Sequence, residues 1–410
     1  MEYLRVYSRQ MTVVKQRAEL TFKENIKKGR HGWVRLTPAY SVKLVYEILE
    51  SNHNCRNVLD PFSGTGTTGL ACAELGTNAT LLDINPFLIW LAEVKTARYS
   101  YVDLLQTTRH ANVIAEAVKT KKGGSASWTP PIHKIHRWWS SKRLATLAEI
   151  YQHICGVETT EPVRNLLLIA FCRLLIDWSN AAFNHQSMSF KNSEESLFDE
   201  TKMMVSAFLA NVARIVRAAS KQICGKVSVY ESDSRTLNVP DSAEYDCVIT
   251  SPPYSNRMSY IRELRPYMYW LGYLSESREA GELDWKAIGG TWGIATSRLS
   301  SWRSRDEFQS SSLDQVVRSV ATRSHVLANY IRKYMDDMYL HFSNLGPLLV
   351  DGGRLFYIVG NSKFYDTLVP VEEFYAEMMQ KVGFVDISVQ KIRKRNSKKE
   401  LYEYLVSARK

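Results

Sequence analysis

The sequence NVLDPFSGTGTTGLACAELG, residues 57–76, decides the fold class of this chain. Its apolar residues Val58 and Leu59 predict a buried strand, and a turn that contains Gly64 and Gly66 follows. The small residues after the turn predict a helix over the rest of the stretch. A strand, a glycine turn and a helix in this order are typical of the first unit of a parallel α/β sheet.

A second strand follows at once, because ATLLDINP (79–86) is apolar up to Asp83. Asp83 lies 19 residues after Gly64, close to the ~20-residue offset of a nucleoside-binding βαβ unit. A carboxylate at this strand end can accept hydrogen bonds from both ribose hydroxyls, and glycines allow the backbone to approach a ligand closely. The turn lacks the G-K-[ST] ending of a phosphate loop. The pattern therefore predicts a nucleoside site.

The other decisive stretch is SPPY, residues 251–254, directly after the apolar strand YDCVIT. Two prolines remove two N–H donors, which leaves carbonyl oxygens and the Ser251 hydroxyl as acceptors beside the Tyr254 ring. This suits an amino group on a flat base, since hydrogen bonds to the Ser251 hydroxyl and the Pro252 carbonyl would favour a pyramidal nitrogen that attacks a methyl group. A strand-terminating turn capped by a tyrosine explains the tetrapeptide in isolation equally well.

Together, these stretches resemble the S-adenosylmethionine-dependent DNA amino methyltransferases, which make N4-methylcytosine or N6-methyladenine. The resemblance implies that S-adenosyl-L-methionine is the cofactor and that the glycine turn and Asp60 hold its methionine end. It implies that Asp83 binds the ribose and that residues near Asp233 in ESDSR bind the adenine. It also implies that the target base is flipped out of the duplex and methylated by direct transfer, without a covalent enzyme intermediate.

The resemblance assigns site residues to two groups. Those implied to be catalytic are Ser251, Pro252, Pro253 and Tyr254. Those implied to bind the cofactor are Thr37, Pro38, Tyr40, Asp60, Pro61, Phe62, Gly64, Gly66, Thr67, Asp83, Ile84, Asp233 and Ser234. The first three belong to GWVRLTPAYSVKLVYEIL (32–49), which resembles the motif beside the methionine moiety, although a helix start with Ser41 as N-cap explains this stretch almost as well.

Serine in the catalytic motif predicts cytosine as the target, because adenine-N6 enzymes of this family usually carry Asp or Asn there. Adenine-N6 methylation stays as the alternative. Carbon-5 methylation of cytosine is excluded, since that chemistry needs a cysteine nucleophile after a proline and none of the six cysteines follows one. The order of the motifs, cofactor first and catalytic second, excludes the subgroup with the reverse order.

Two further functions share part of the pattern. RNA guanine-N2 methyltransferases have the same D-P-F-x-G-x-G-T turn, but they typically carry Asp or Asn before P-P-Y and an RNA-binding domain before the core, and only about 30 residues precede the core here. An inactive DNA-recognition subunit would not need the intact Ser251 and Tyr254. We therefore expect a site-specific DNA methyltransferase whose partner is a restriction endonuclease that shares its site.

Strands alternating with helical segments predict an α/β fold, a Rossmann-like doubly wound mixed sheet of the class I methyltransferase type. Two long segments do not fit the alternation and predict a large helical insert and a second, smaller insert. The predicted units are an N-terminal arm (1–30), a cofactor-binding half (31–98), a mainly helical insert for target recognition (99–224), core strands with the catalytic motif (225–258), a second insert for DNA contact (259–339) and the C-terminal core (340–410).

Basic residues concentrate outside the two motifs. Residues 119–143 contain seven Lys or Arg and no acid, interleaved with Trp128, Trp138 and Trp139. This pattern is typical of a loop that faces DNA, although a solvated linker whose tryptophans pack inward has the same composition. The predicted DNA-binding residues are Lys134, Arg137, Lys142, Arg143, Asn184, His185, Arg298 and Arg303.

The overall charge agrees with a polyanionic partner. The chain has 410 residues, with 53 Lys and Arg against 42 Asp and Glu, a formal net charge of +11 that suits double-stranded DNA but also serves solubility. His133 and His136 lack further soft ligands nearby, so no metal is predicted. Without a signal peptide or an apolar stretch of ~20 residues, the sequence predicts a cytoplasmic protein with no membrane contact.

Overall fold

The computed structural model describes residues 15–36, 39–120, 128–182, 189–190, 199–240, 244–256, 259–290, 294–395 and 400–410. Within these ranges the chain forms a seven-stranded sheet with helices around it. The predictions for Thr37, Pro38, Asn184 and His185 lie outside the described residues.

The strands are β1 (Asn57–Asp60), β2 (Asn78–Asp83), β3 (Ala181–Ala182), β4 (Ser189–Phe190), β5 (Val227–Glu231), β6 (Tyr245–Thr250), β7 (Leu349–Gly360), β8 (Ser362–Phe364), β9 (Thr367–Val369), β10 (Val385–Lys394) and β11 (Tyr402–Arg409). The main sheet has the order β10-β11-β7-β6-β1-β2-β5, and β11 is antiparallel to both of its neighbours. The other neighbouring pairs in this sheet are parallel. The prediction of a doubly wound mixed sheet is confirmed.

The helices are α1 (Phe22–Lys27), α2 (Val42–Ser51), α3 (Thr67–Leu75), α4 (Pro86–Thr96), α5 (Tyr101–Thr120), α6 (Ser141–Gly156), α7 (Glu161–Asp177), α8 (Glu200–Ala219), α9 (Tyr260–Trp270), α10 (Ser277–Lys286), α11 (Ile294–Ser301), α12 (Ser311–Ala321), α13 (His325–Leu345) and α14 (Val371–Lys381). In the described part of the chain no helix is long and apolar enough to cross a membrane.

The central strand β1 places the site. Val58 and Leu59 are fully buried, because helices cover both faces of the sheet. Val58 pairs with Ala79 of β2 on one side and with Cys247 of β6 on the other. From β1 the chain continues to β2 on one side and later returns to β6 on the other side, so the strand order reverses at β1. Ligands of open α/β sheets bind at the carboxyl ends of the strands where this reversal occurs. We therefore expect the site at the carboxyl end of β1.

The first insert contributes a helical layer with its own apolar core. Helices α5, α6, α7 and α8 pack against one another, and Trp139 is fully buried among them. Trp270, from α9 of the second insert, lies edge-on to Trp139 with 6.0 Å between the ring centres. The two inserts therefore share this core and do not form separate lobes.

The last helix of the second insert, α13, packs in the core beside the sheet. The predicted boundary at 339/340 falls inside α13, which continues to Leu345 and leads into β7. Tyr330, Tyr334 and Met338 of this helix are buried in the same cluster as residues of β7 and α14. Helix α13 therefore joins the second insert to the sheet as one continuous element.

Candidate functional site

The glycine turn after β1 is a tight loop that leads directly into α3. Gly64 and Gly66 have φ values of +50° and +72°, in the left-handed region that favours glycine. A Cβ on Gly66 would lie 3.0 Å from the Cβ of Ala92 on α4, so this glycine is also needed for close packing. The Gly66 N–H donates to the Ser63 carbonyl at 2.8 Å. Both glycines are therefore required by the shape of the turn.

Asp83, at the end of β2, faces the same loop. One of its carboxylate oxygens accepts the Gly64 N–H and the other accepts the Asn85 N–H, each at 2.9 Å. Each oxygen keeps a further lone pair, and the side chain lines the pocket described below. Burial raises the pKa of Asp83 to about 7, although the two N–H groups act in the opposite direction. Asp83 can therefore accept two more hydrogen bonds, which suits a vicinal diol.

Asp60 lies beneath the pocket and is not part of its wall. It is fully buried, and its Oδ1 accepts hydrogen bonds from the Thr250 hydroxyl at 2.6 Å and the Phe62 N–H at 3.1 Å. Its Oδ2 accepts the Tyr40 hydroxyl at 3.4 Å, and Tyr40 is also hydrogen-bonded to Thr68. Burial raises the pKa of Asp60 to about 6. The expected direct contact of Asp60 with a ligand is therefore replaced by a bracing role between β1, β6 and Tyr40.

Asp233 and Ser234 follow β5 and lie against the turn after β1. The Ser234 hydroxyl donates to the Pro61 carbonyl at 2.6 Å. The Asp233 carboxylate accepts hydrogen bonds of 2.9 and 2.6 Å from the Arg235 guanidinium, which also contacts Asp337 at 3.1 Å. Burial alone would raise the pKa of Asp233, but the hydrogen bonds from Arg235 outweigh burial and hold the pKa below its usual value. Asp233 is therefore an ionised acceptor at the pocket wall.

The Ser251 hydroxyl is oriented by the neighbouring strand. It donates to the Ile358 carbonyl of β7 at 2.9 Å, and because a carbonyl can only accept, the serine proton points to β7. Ser251 lines the pocket wall and also forms a side-chain hydrogen bond with Tyr254, which leaves the serine oxygen one further lone pair as an acceptor. The next turn is held by the Tyr334 hydroxyl, which donates to the Pro253 carbonyl at 2.7 Å. The structure thus presents Ser251 as an acceptor.

The Tyr254 ring is held from several sides. The backbone N–H of Tyr254 donates to the Tyr260 hydroxyl at 2.8 Å, and the Arg395 guanidinium lies 5.3 Å from the centre of the Tyr254 ring. A Cβ on Gly360 would lie 2.9 Å from the same ring, so the β7 backbone approaches Tyr254 as closely as glycine allows. The orientation of this aromatic face is therefore fixed before any ligand binds.

These residues surround one pocket of about 960 Å³, a volume that includes its open mouth. The predicted site residues in its wall are Tyr40, Pro61, Phe62, Gly64, Thr67, Asp83, Ile84, Asp233, Ser234, Ser251, Pro252, Pro253 and Tyr254. Both motifs thus contribute to the same pocket. Asp60 and Gly66 lie outside its lining, since Asp60 is beneath the floor and Gly66 is the N-cap residue of α3.

The wall also contains residues that sequence reasoning did not single out. They are Leu36, Ala39, Ser63, Thr65, Asn85, Leu88, Tyr260, Ile261, Leu264, Lys286, Ala287 and Ile288. Asn85 had a local signal, because it follows Asp83 and caps α4 through the Phe87 N–H at 3.0 Å. The residues of α9 and of 286–288 had none, since only the packing of the second insert brings them to the pocket.

Two of the predicted DNA-binding arginines are instead bound to carboxylates. Arg143 contacts Glu200 at 2.5 and 3.0 Å and Asn180 at 3.1 Å, which ties α6 to α8. Arg298 forms a bidentate pair with Glu282, with both distances 2.7 Å. Glu200 and Glu282 already balance the charge of these guanidinium groups, so Arg143 and Arg298 link helices in this structure, and their contact with DNA stays a prediction.

The other described residues of this prediction are free to meet a partner. Lys134, Arg137, Lys142 and Arg303 are exposed at the surface. Arg137 lies 4.6 Å from the centre of the Phe190 ring. Contact of these four side chains with DNA phosphates stays a prediction.

Two of the three tryptophans in the basic stretch pack inward, whereas Trp128 is partly exposed. Trp138 and Trp139 are buried, and Trp128 stacks on Tyr151 with 5.5 Å between the ring centres. The Trp139 N–H donates to the Leu175 carbonyl at 2.9 Å. The expectation that tryptophans of this stretch meet bases is therefore corrected for Trp138 and Trp139, whose rings belong to the core of the helical insert.

The pocket fits a nucleoside, with acceptors for its ribose and apolar surface for its base. Asp83 offers a pair of acceptors, and the ring of Phe62 and the side chains of Ile84 and Leu88 offer apolar surface near it. Over the described residues, no group of three or more His, Cys, Asp or Glu side chains could hold a metal ion.

Comparison with known proteins identifies relatives along most of the chain. Residues 21–94 match the family model N6_N4_Mtase, described as DNA methylase. The Type II methyltransferase M.AvaI of Nostoc sp. and Anabaena variabilis is 21% identical over 407 residues, covering 91% of this chain and 82% of its own. The Type II methyltransferase M.BsoBI of Geobacillus stearothermophilus is 22% identical, covering 94% of this chain and 85% of its own.

Two further similarities are more limited. A segment of 58 residues, 14% of this chain and 11% of the relative, is 41% identical to the Type II methyltransferase M.MjaII of Methanocaldococcus jannaschii. The solved rRNA methyltransferase aviRa from Streptomyces viridochromogenes covers 94% of this chain, and 92% of its own, at 11% identity and a TM-score of 0.31.

Proposed function

Because the comparisons support a family of DNA amino methyltransferases, we propose that this chain transfers a methyl group from S-adenosyl-L-methionine to the N4 amine of cytosine in duplex DNA. The target base leaves the helix and enters the pocket beside Ser251 and Tyr254. Methylation of adenine at N6 is the alternative within the same family.

The observation that carries this proposal is the hydrogen bond from the Ser251 hydroxyl to the Ile358 carbonyl. It directs the serine proton to β7, so the Ser251 oxygen accepts an N–H of the amine. The Pro252 carbonyl is the second acceptor. Two such hydrogen bonds draw the nitrogen lone pair out of conjugation with the ring, toward the methyl group.

The carboxyl ends of β2 and β5 hold the cofactor. Asp83 accepts hydrogen bonds from the two ribose hydroxyls. It uses the carboxylate lone pairs that the N–H groups of Gly64 and Asn85 leave free. Asp233 and the apolar wall around Phe62 bind the adenine. When bound, S-adenosyl-L-methionine supplies an electrophilic methyl group on a sulfonium. The amine nitrogen forms the new N–C bond as the carbon–sulfur bond breaks, and its excess proton then leaves to water.

Serine at position 251 favours cytosine. The preference for cytosine over adenine follows from the family pattern, in which serine accompanies N4 chemistry and Asp or Asn accompanies N6 chemistry. The Tyr254 face, braced by Gly360 and Arg395, stacks on the flipped base. This aromatic contact tolerates either base, so the choice between them depends on the polar groups around Ser251.

The exposed cations of the two inserts hold the DNA backbone. Lys134, Arg137 and Lys142 of the first insert and Arg303 of the second contact phosphates. The relatives M.AvaI and M.BsoBI are named Type II methyltransferases. We therefore propose that this chain protects cytoplasmic DNA against a restriction endonuclease that recognises the same site.

The test is incubation with methyl-labelled S-adenosyl-L-methionine and mixed-sequence duplex DNA, followed by mass spectrometry of the nucleosides. Label in N4-methylcytosine is the expected result. Label in N6-methyladenine alone rejects the cytosine assignment, and label in RNA but not in DNA favours guanine-N2 chemistry. No label in either nucleic acid, with intact cofactor binding, favours an inactive DNA-recognition subunit.

A further inference from the structure

A second pocket lies at the amino-terminal ends of the parallel strands, on the side of the sheet opposite the catalytic motif. Helix α3 begins at the carboxyl end of β1 and runs back along the sheet. Its last turn, with Glu74, therefore lies near the amino-terminal ends of the strands. Helix α8 ends shortly before β5 begins, and the N–H groups of Cys224 and Gly225 bind the Ala73 carbonyl at 2.9 and 3.0 Å. This pocket shares no lining residue with the pocket around Ser251. It is therefore a separate feature of the fold.

The lining of this second pocket is strongly basic. Its cations are Lys27, Lys28, Arg30, Arg214, Arg217 and Lys221, and Glu74 is its acid. Lys27 lies 3.1 Å from Glu24, whereas the described residues place no carboxylate within ion-pair distance of the other five cations. Glu74 is itself hydrogen-bonded by Tyr46 and lies 3.4 Å from His31. The charge of the pocket is thus not balanced by the protein.

The base of the pocket is rigid. Arg30 is buried, and its five guanidinium hydrogen bonds go to the carbonyls of Lys95, Ala97, Ala218, Ala219 and Lys221, so it adds positive charge to the pocket but no free donor. Neutral carbonyls hold this guanidinium without cancelling its charge. The neighbouring His31 is also buried, and its Nδ1 has no hydrogen-bond partner among the described residues. Because the Glu74 carboxylate takes the Nε2 proton of His31 and burial lowers the pKa of this histidine, Nδ1 is an acceptor, so the positive charge of the pocket comes from its Lys and Arg side chains and not from His31.

We propose that this pocket binds a free ligand with a polyphosphate group, such as a nucleoside polyphosphate. Several cations held close together repel one another, and an anion with many oxygens relieves that repulsion while it accepts hydrogen bonds from the exposed Lys28, Arg217 and Lys221. The pocket measures about 1190 Å³ including its open mouth, which is enough for a nucleotide. Its position across the sheet separates it from DNA bound at Ser251. The inference does not depend on which base the chain methylates.

The test is calorimetric titration of the full chain with sodium tripolyphosphate and with ATP at constant ionic strength. The variant Arg217→Gln/Lys221→Gln removes two exposed cations of the pocket, and Lys28→Gln removes one from a different element. The matched control Lys202→Gln/Arg318→Gln removes the same charge from exposed sites outside the pocket. Thermal melting verifies that all three variants fold.

We expect tripolyphosphate to bind the wild type and the control alike and to bind Arg217→Gln/Lys221→Gln about tenfold more weakly or worse. Lys28→Gln should weaken binding less. Methylation and affinity for short duplex DNA should be equal in the pocket variant and the control. Equal tripolyphosphate affinity in all variants overturns the proposal. The proposal is also overturned if the pocket variant loses affinity for duplex DNA while the wild type binds neither tripolyphosphate nor ATP. In that case the pocket would be part of the DNA-binding surface.

Discussion

The hydroxyl of Ser251 is the single group on which the proposed chemistry depends most. Replacement by alanine removes an acceptor that hydrogen-bonds to the amine when it reacts. We expect Ser251→Ala to lower kcat about 100-fold while the Kd for S-adenosyl-L-methionine stays the same, because the cofactor contacts are elsewhere in the pocket. Single-turnover methylation and calorimetry measure the two quantities.

Ser255→Ala is the matched control. This hydroxyl is buried four residues further along the chain, and in the described structure it has no hydrogen-bond partner. Its removal should leave kcat unchanged. A Ser251→Ala enzyme as fast as the wild type would contradict the assigned role of the serine.

Asp83 makes cofactor affinity depend on pH. Its burial at the pocket wall raises its pKa to about 7, so the free enzyme changes from the protonated to the ionised form near neutral pH. Only the ionised form offers both oxygens as acceptors to a diol, so affinity should rise with pH through about 7 and fall below it. We expect the Kd for S-adenosyl-L-methionine to be up to about tenfold higher at pH 6 than at pH 8.

Calorimetry at several pH values measures this dependence. Asp83→Asn has no titrating group at this position, so its binding should be weaker and nearly independent of pH. A wild-type Kd that stays constant from pH 6 to pH 8 would mean that Asp83 is already ionised throughout this range.

At the level of elements, the turn between β1 and α3 depends on glycine for two separable reasons. Gly66→Ala meets both a positive φ and a Cβ contact of 3.0 Å with Ala92 of α4. Gly272→Ala meets a positive φ of +81° with no atom within 4 Å of the new Cβ. The difference between the two variants therefore isolates the effect of crowding between α3 and α4.

We expect Gly272→Ala to lower the free energy of unfolding by about 1 kcal/mol and Gly66→Ala by about 2 to 4 kcal/mol. Urea unfolding measures both values. The turn variant should also bind S-adenosyl-L-methionine more weakly, since the Gly64 N–H that positions Asp83 lies in the same loop. Equal destabilisation by the two substitutions would remove the crowding argument.

Across the whole molecule, the exposed cations of the inserts should control binding to the DNA backbone. Lys134, Arg137 and Lys142 are exposed, whereas the neighbouring Arg143 is bound to Glu200. If each exposed cation neutralises one phosphate, their replacement by glutamine reduces the slope of log K against log salt by up to about 2.7. Filter binding of duplex DNA at several salt concentrations measures this slope.

Arg143→Gln provides the contrast from the same stretch. It should leave the slope of DNA binding unchanged and lower the melting temperature instead, because it leaves Glu200 partly buried without its partner. If the salt slope of DNA binding is unchanged in the triple variant, the three exposed cations do not contact DNA and serve solubility instead.

Local sequence determined the part of this protein that depends on short-range geometry. The residues 57–76 and Asp83 predicted the β1 turn, because a positive φ selects glycine and a strand end presents a carboxylate wherever the chain lies. The SPPY stretch likewise predicted a strand followed by a proline turn, and the structure has β6 at that position. These features need only a few neighbouring residues to be recognised.

Tertiary structure alone decided which of these residues share a pocket and which charges are free. Asp60 is part of the same motif as the glycines, yet Thr250 and Tyr40 bind its carboxylate beneath the floor of the pocket. Arg143 and Lys142 are adjacent in sequence, yet only Arg143 reaches Glu200 across two helices. The physical reason is that burial and ion pairing depend on partners far away in sequence, which no local pattern of residues records.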